Sequence, residues 1–157
     1  MLKDSAWERA LKYLVSRPKT EKQIRDYLIS KRYEDEEIEE TVKRLKAANY
    51  INDDDFARGF ARARAEYKYH GRYRILRDLA VRGITGDAAK KRVEEMLKPE
   101  DVEGQMEKAV AKWIRTRGRP ANLKELTRLH NFLFRLGYEP ALINKKLMDF
   151  KTRNEER

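Results

Sequence analysis

Apolar residues recur at three- and four-residue spacings almost from end to end of the chain, and no stretch alternates apolar and polar positions in a way that predicts a strand. Ala6, Ala10, Tyr13 and Leu14 share one face of a first helix that stops near Arg17-Pro18. Thr20-Glu21-Lys22-Gln23 has the capping-box spacing: the threonine oxygen can satisfy an orphan amide while the glutamine reaches back to the cap's N–H. A second helix follows with the stripe Ile24, Tyr27, Leu28. After Tyr33, acids at Glu34 to Glu37 suit the positive end of a third helix dipole, and the stripe there is Ile38, Val42, Leu45. Further breaks at Gly71, Gly83, Gly86, Pro99, Gly118, Pro120, Gly137 and Pro140 predict nine helices in all. Their approximate spans are 4–17, 20–31, 35–48, 53–69, 72–82, 86–97, 100–117, 122–136 and 139–151.

The first three helices form a unit that recurs. Leu28-Ile29-Ser30-Lys31-Arg32-Tyr33 aligns with Leu79-Ala80-Val81-Arg82-Gly83-Ile84 and with Leu133-Phe134-Arg135-Leu136-Gly137-Tyr138. Further along, Ile38, Ala89 and Ile143 correspond, as do Val42, Val93 and Leu147, and Leu45, Met96 and Phe150; every member is apolar. Gly83 and Gly137 stand where a helix would stop, and glycine tolerates the left-handed conformation of a C-terminal cap. The first copy has Arg32 there, a weaker stop. A period near 50 residues implies stacked units that bury faces against their neighbours. The expected fold is therefore all-α: three tandem three-helix repeats, at 1–51, 52–98 and 99–157, in an elongated array of helix-turn-helix-like units.

Charge adds a partner class. The 157 residues carry 37 Lys+Arg against 27 Asp+Glu, a formal +10, which favours polyanions. Arg62, Arg64, Lys68, Arg72, Arg74, Arg77 and Arg82 meet only Glu66 and Asp78 in their stretch, while Lys108, Lys112, Arg115, Arg117, Arg119, Lys124, Arg128 and Arg135 meet only Glu125. Tyr67, Tyr69, Tyr73 and Trp113 interleave with these blocks, a mixture suited to stacking bases. Trp113 is better read as core, beside Ala109 and Val110. Of Tyr67 and Tyr69, two apart on a helix, one must be exposed. With no cysteine, neither a disulfide nor a thiolate zinc site is available. Acids in Met1-Leu2-Lys3-Asp4-Ser5-Ala6-Trp7-Glu8 speak against a signal peptide, and no stretch approaches the ~18 apolar residues of a membrane span. A soluble cytoplasmic monomer with no membrane partner is expected.

Catalysis finds little support. His70, at a helix end, is expected to carry partial positive charge that complements the dipole, and His130 lies in a basic helix beside Asn131. Glu34 to Glu40 and Asp53-Asp54-Asp55 lack calcium-loop spacing and sit at predicted helix starts, so they read as caps. No glycine-rich phosphate loop is present. The expectation is a binding protein, not an enzyme, with no metal and no cofactor. One form of it is a DNA-binding protein of tandem helix-turn-helix-like units. The acidic third helix, with Glu36, Glu37, Glu39 and Glu40, is a poor fit to phosphates; the sixth, with Lys90, Lys91 and Arg92, is a better one.

The segment Ala48-Asn49-Tyr50-Ile51-Asn52-Asp53-Asp54-Asp55-Phe56-Ala57, followed by Gly71-Arg72-Tyr73-Arg74-Ile75 and Leu79-Ala80-Val81-Arg82-Gly83-Ile84, resembles the RecX family. The motif positions are Asp53, Asp54, Phe56, Ala57, Gly71, Ile75, Leu79 and Gly83. Asn131 to Tyr138 and Met148-Asp149-Phe150 resemble the family's last repeat, so the likeness spans almost the whole chain. Asn49 and Asn52 replace a more usual Gly and Asp, and His70 stands where a small or aromatic residue is common. The resemblance implies a non-enzymatic regulator that lodges in the groove of the RecA–DNA filament and inhibits its ATPase, recombinase and coprotease activities, in DNA repair and the SOS response. The contact candidates, chosen for local charge excess toward RecA and single- or double-stranded DNA, are Arg62, Arg64, Lys68, Arg72, Arg74, Arg77, Lys112, Arg115, Arg117 and Arg119.

Overall fold

The computed structural model describes residues 4–155, with side chains as far as Thr152. Residues 1–3 and 156–157, at the outer edges of the first and third expected repeats, lie outside the described residues, and with them the first three residues weighed against a signal peptide. The described residues form nine α-helices and no strand. They are α1 (Ala6–Leu14), α2 (Glu21–Ser30), α3 (Asp35–Ala47), α4 (Asp53–Lys68), α5 (Arg72–Val81), α6 (Gly86–Met96), α7 (Pro99–Arg117), α8 (Leu123–Leu136) and α9 (Pro140–Glu155). The first helix ends three residues earlier than its expected span, before exposed Val15, Ser16 and Arg17. A residue preceding proline is pushed out of the helical region, which brings the chain out ahead of Pro18.

Three apolar cores are separate. One lies within α1–α3 around Ile24, Leu28, Val42 and Leu45, a second within α4–α6 around Ile75, Leu79 and Val93, and a third within α7–α9 around Trp113, Leu129, Leu133, Tyr138 and Ile143. Fully burying one such Leu or Ile contributes about 1.5–3 kcal/mol. In the middle unit Ala57, Ala61 and Ala65 make the buried stripe of α4, and their small side chains let α6 pack closely across it. The whole exposes 10584 Å², against about 8,300 Å² expected for a compact monomer of this mass. Separate cores and excess surface are the mark of an extended array.

The repeat extends to single backbone hydrogen bonds. At the end of each unit's second helix, Tyr33, Ile84 and Tyr138 donate their N–H to the carbonyls of Leu28, Leu79 and Leu133, five residues back. Arg32, Gly83 and Gly137 donate to Ile29, Ala80 and Phe134. That is the same Schellman cap three times. Its left-handed residue has φ 60° at Arg32, 85° at Gly83 and 90° at Gly137, so the arginine adopts the conformation for which the other copies use glycine.

The joints between units repeat as well. Buried Thr20, the N-cap of α2, accepts from the Gln23 amide (3.2 Å) and donates its hydroxyl to the carbonyl of Arg82 at the end of α5 (2.7 Å). Gly71, the N-cap of α5, donates its amide to the carbonyl of Leu136 at the end of α8 (2.7 Å). Thr20 and Gly71 are equivalent in the repeat, as are Arg82 and Leu136, so each second helix starts against the end of the next unit's second helix. The first joint is spaced by a side chain; the second is backbone on backbone. A Cβ on Gly71 would come inside 3 Å of the Gly137 carbonyl, and one on Gly137 inside 3 Å of the Arg74 backbone. Across this tighter joint Tyr73 donates to the Gly137 carbonyl (3.0 Å) and the buried Tyr138 hydroxyl to the Tyr69 carbonyl (2.7 Å), while α4 packs on α7 and α5 on α8.

Candidate interaction surface

The three acids at the head of α4 do three different things. Asn52 supplies the N-cap, its side-chain oxygen accepting from the Asp55 amide (3.1 Å). Asp53 reaches across the first joint to accept from the Glu21 amide at the head of α2 (2.9 Å), and burial raises its carboxyl above the usual range. Asp54 forms a two-point pair with Arg92 of α6 (3.1 Å and 3.1 Å), which holds its carboxyl below the usual range. Asp55 pairs with Arg58 (3.1 Å). The other motif residues are structural: Ala57, Ile75 and Leu79 are core, Phe56 stacks on Phe60, Gly71 makes the second joint, and Gly83 lies against Lys22 at the first.

The first basic block divides in space. Arg72 is drawn between Glu94 of α6 (2.8 Å) and Glu139 at the head of α9 (3.6 Å). Arg74 sits near Asp78 (3.9 Å) and donates to the carbonyl of Arg135 (3.3 Å). Both are thereby engaged at the second joint. Arg62 faces α7 in a depression it shares with Lys108, where Glu66, Glu100 and Asp101 offset the two cations. Arg64 points the other way, its guanidinium 4.8 Å from the Phe60 ring. Lys68 and Arg77 are exposed and have no carboxylate partner among the described residues.

The second block stays together. Lys112, Arg115 and Arg117 lie exposed along the last turns of α7, without carboxylate partners among the described residues, at the helix end whose dipole favours cations. Arg119 follows in the loop, 5.5 Å from the Phe150 ring. Trp113 is buried, as its spacing implies, and of the tyrosine pair Tyr67 is 77% exposed while Tyr69 packs on the third core.

His70 departs from its expected role. It is 8% exposed, and burial, with Arg74 adding repulsion, pushes its pKa down to about 4. The ring is neutral at pH 7 and offers the α4 dipole no charge. Charge counting along the sequence also passed over Arg17 and Lys19 in the α1–α2 loop, and it counted Arg82 without naming it as a contact. Their only sequence signal was proximity to the Pro18 break and the Gly83 turn; the fold brings them to Arg64.

No group of three or more His, Asp or Glu side chains among the described residues is placed to hold a metal ion, and no described helix is long and apolar enough to cross a membrane. The family model for the first three-helix domain of RecX matches residues 6–45, and that for the second three-helix domain matches residues 52–91. Regulatory protein RecX of Prosthecochloris aestuarii is 30% identical over 148 residues, which cover 94% of this chain and 94% of that protein. The chain belongs to the RecX family. Regulatory protein RecX of Oceanobacillus iheyensis is 25% identical over 147 residues, and there the match spans 94% of this chain and only 54% of the relative. The crystal structure of RecX from Lactobacillus salivarius shares the fold, with a TM-score of 0.77 at 19% identity over 94% of this chain and 95% of that one. Another crystal structure titled regulatory protein RecX superposes with a TM-score of 0.81 at 22% identity over 92% of this chain and 71% of that one. RecX regulatory proteins are not enzymes.

Proposed function

We propose that this chain regulates the RecA recombinase by binding the RecA–DNA filament, lodging in its groove and inhibiting its ATPase, recombinase and coprotease activities. Membership of RecX, a family of regulatory proteins, with a match over nearly the full length of the Prosthecochloris aestuarii relative, carries the reading. An extended array of three units, delimited near 1–51, 52–98 and 99–157, has the reach to touch neighbouring protomers of a polymer. Lys112, Arg115 and Arg117, with Lys68 and Arg77, are exposed cations without carboxylate partners among the described residues and can face DNA phosphates or acidic protein surface, whereas Arg72 and Arg74 already hold the second joint. A ligand that prefers one filament state shifts the polymer toward that state. The protein acts as a cytoplasmic monomer and needs no membrane.

The test is a titration, well below RecA stoichiometry, into preformed filaments on excess single-stranded DNA, with ATP hydrolysis followed. Inhibition at substoichiometric amounts is expected, and the excess DNA excludes template sequestration. No effect on hydrolysis, together with tight binding to duplex DNA, would replace this reading with a helix-turn-helix-like DNA binder.

A further inference from the structure

The first joint, spaced by the Thr20 side chain, leaves a cleft of about 480 Å³ between the α1–α2 loop, the α3–α4 turn and one face of α4. Clefts of this size take small ligands. Four cations line it: Arg17 and Lys19 from the α1–α2 loop, Arg64 from α4 and Arg82 from the end of α5. Against them stands a single acid, Asp55, already paired with Arg58. None of the four cations has a carboxylate partner among the described residues, whereas Arg25, Arg58, Arg72 and Arg92 elsewhere all do. Arg64 and Arg82 converge on the Phe60 ring, at 4.8 and 4.7 Å from its centroid. Lys19 is 5% exposed, and its ammonium lies 4.5 Å from the Tyr13 ring, with no carboxylate of the described residues against it. Desolvation lowers its pKa, and the charge of Arg17 lowers it further. Like charges gathered at a concave site without counter-charge favour an anionic occupant.

The cleft also presents a platform. Tyr50 is 55% exposed at its rim, fixed edge-on against Trp7 with centroids 6.0 Å apart. The floor is open at Gly59, where an added Cβ would meet nothing within 4 Å. A concave site with several cations and one exposed aromatic face matches a phosphate joined to an unstacked base, and a base in a duplex offers no free face. We propose that this cleft binds a nucleotide of single-stranded DNA, its phosphate among Arg17, Lys19, Arg64 and Arg82 and its base on Tyr50. Such binding requires no RecA, so it stands or falls independently of the filament reading.

The experiment is fluorescence anisotropy of the full chain, without RecA, on labelled oligothymidylate, with a duplex of equal length and polyglutamate as competitors. Gly59→Glu places a carboxylate on the open floor, and its helix propensity exceeds that of glycine, so its melting temperature is expected at or above the parent's. Its affinity for the oligonucleotide is expected to fall by about tenfold or more, while Gly59→Ala stays within about twofold. Tyr50→Ala should weaken binding by about fivefold or more through loss of stacking. Replacing Arg64 and Arg82 with glutamine should reduce the salt slope by up to about 0.7, the one single-strand phosphate they help to hold. Unchanged affinity in both Gly59→Glu and Tyr50→Ala would overturn the proposal. Displacement by polyglutamate or duplex as potent, charge for charge, as by unlabelled oligothymidylate would also overturn it, in favour of a general polyanion surface.

Discussion

Replacing Gly137 with alanine puts a methyl group where the backbone of Arg74 already lies, inside 3 Å of its nitrogen and Cα, at a residue whose φ is 90°. Two effects combine. The left-handed conformation costs a non-glycine residue about 1–2 kcal/mol, offset by about 0.4–1 kcal/mol because alanine restricts the unfolded chain. Forcing a methyl into a filled contact costs about 1–3 kcal/mol more. A net loss of about 3 kcal/mol lowers the melting temperature of a chain this long by about 6–12 °C. Two controls separate the terms. Gly86 has φ 74° and nothing within 4 Å of an added Cβ, so Gly86→Ala carries strain alone, about 1 kcal/mol or less after the offset. Gly71 has φ −81° but faces the Gly137 carbonyl, so Gly71→Ala carries the clash alone.

Thermal unfolding by circular dichroism gives the order: Gly137→Ala falls furthest, Gly71→Ala next, Gly86→Ala least. Hydrogen exchange at the Gly71 and Tyr73 amides, both bonded across the joint, assigns the loss to the joint and not to one unit's core. If Gly137→Ala and Gly86→Ala lose the same stability, or Gly71→Ala loses none, the backbone-on-backbone joint is refuted.

Thr20→Val keeps the shape but removes both a cap and the bond that meets the Arg82 carbonyl; a loss of about 2–4 kcal/mol is expected in urea unfolding, and a loss below about 0.5 kcal/mol would sink the role given to that hydroxyl. His70 resists protonation in the folded state, so the unfolded chain binds the extra proton between pH 6.5 and about 4, and stability falls as pH is lowered through that window. The fall is on the order of 2–3 kcal/mol from this residue, and urea midpoints of His70→Gln should lose that part of the pH dependence; an identical profile would contradict a buried neutral ring. Reversing Lys112, Arg115 and Arg117 together to glutamate should weaken binding to RecA filaments on single-stranded DNA and reduce the salt slope by about 2, one phosphate for each cation. Unchanged affinity and slope would remove the end of α7 from the contact.

Whatever depends on a few neighbouring residues could be read from the chain. The Thr20–Gln23 capping box, the buried stripes and the alignment of Tyr33 with Ile84 and Tyr138 are local, and each recurs in the structure where its spacing places it. The same holds for the left-handed turn at Gly83 and Gly137, which Arg32 also adopts in spite of its side chain. What could not be read depends on which units meet. Asp53 looked like a cap for its own helix; it caps α2 instead, because the first joint brings the two helix starts together. Arg72 looked like free charge beside its sequence neighbours, yet Glu94 comes from α6 and Glu139 from the head of α9; Arg74 reaches the carbonyl of Arg135 on α8. The cleft at the first joint is the clearest case: Arg17, Lys19, Arg64 and Arg82 come from three separate segments, and nothing short of the joint's geometry collects them.

That geometry also bears on how such a chain meets a polymer. At both joints the start of one second helix lies against the last carbonyls of the next unit's second helix, so the same step carries α2 toward α5 and α5 toward α8. The two steps are made differently. Backbone contact, the Tyr138 hydroxyl and helix packing fix the second, whereas the first rests on the Thr20 and Asp53 hydrogen bonds and the contact of Gly83 with Lys22. Contact distributed over successive units gains from effective concentration, each unit docking more readily once its neighbour is seated, provided the spacing of the units matches that of the partner. The second and third units, joined backbone on backbone, would set that spacing. The proposed nucleotide cleft lies at the first joint, the one spaced by the Thr20 side chain, and not at the second, which is closed backbone on backbone.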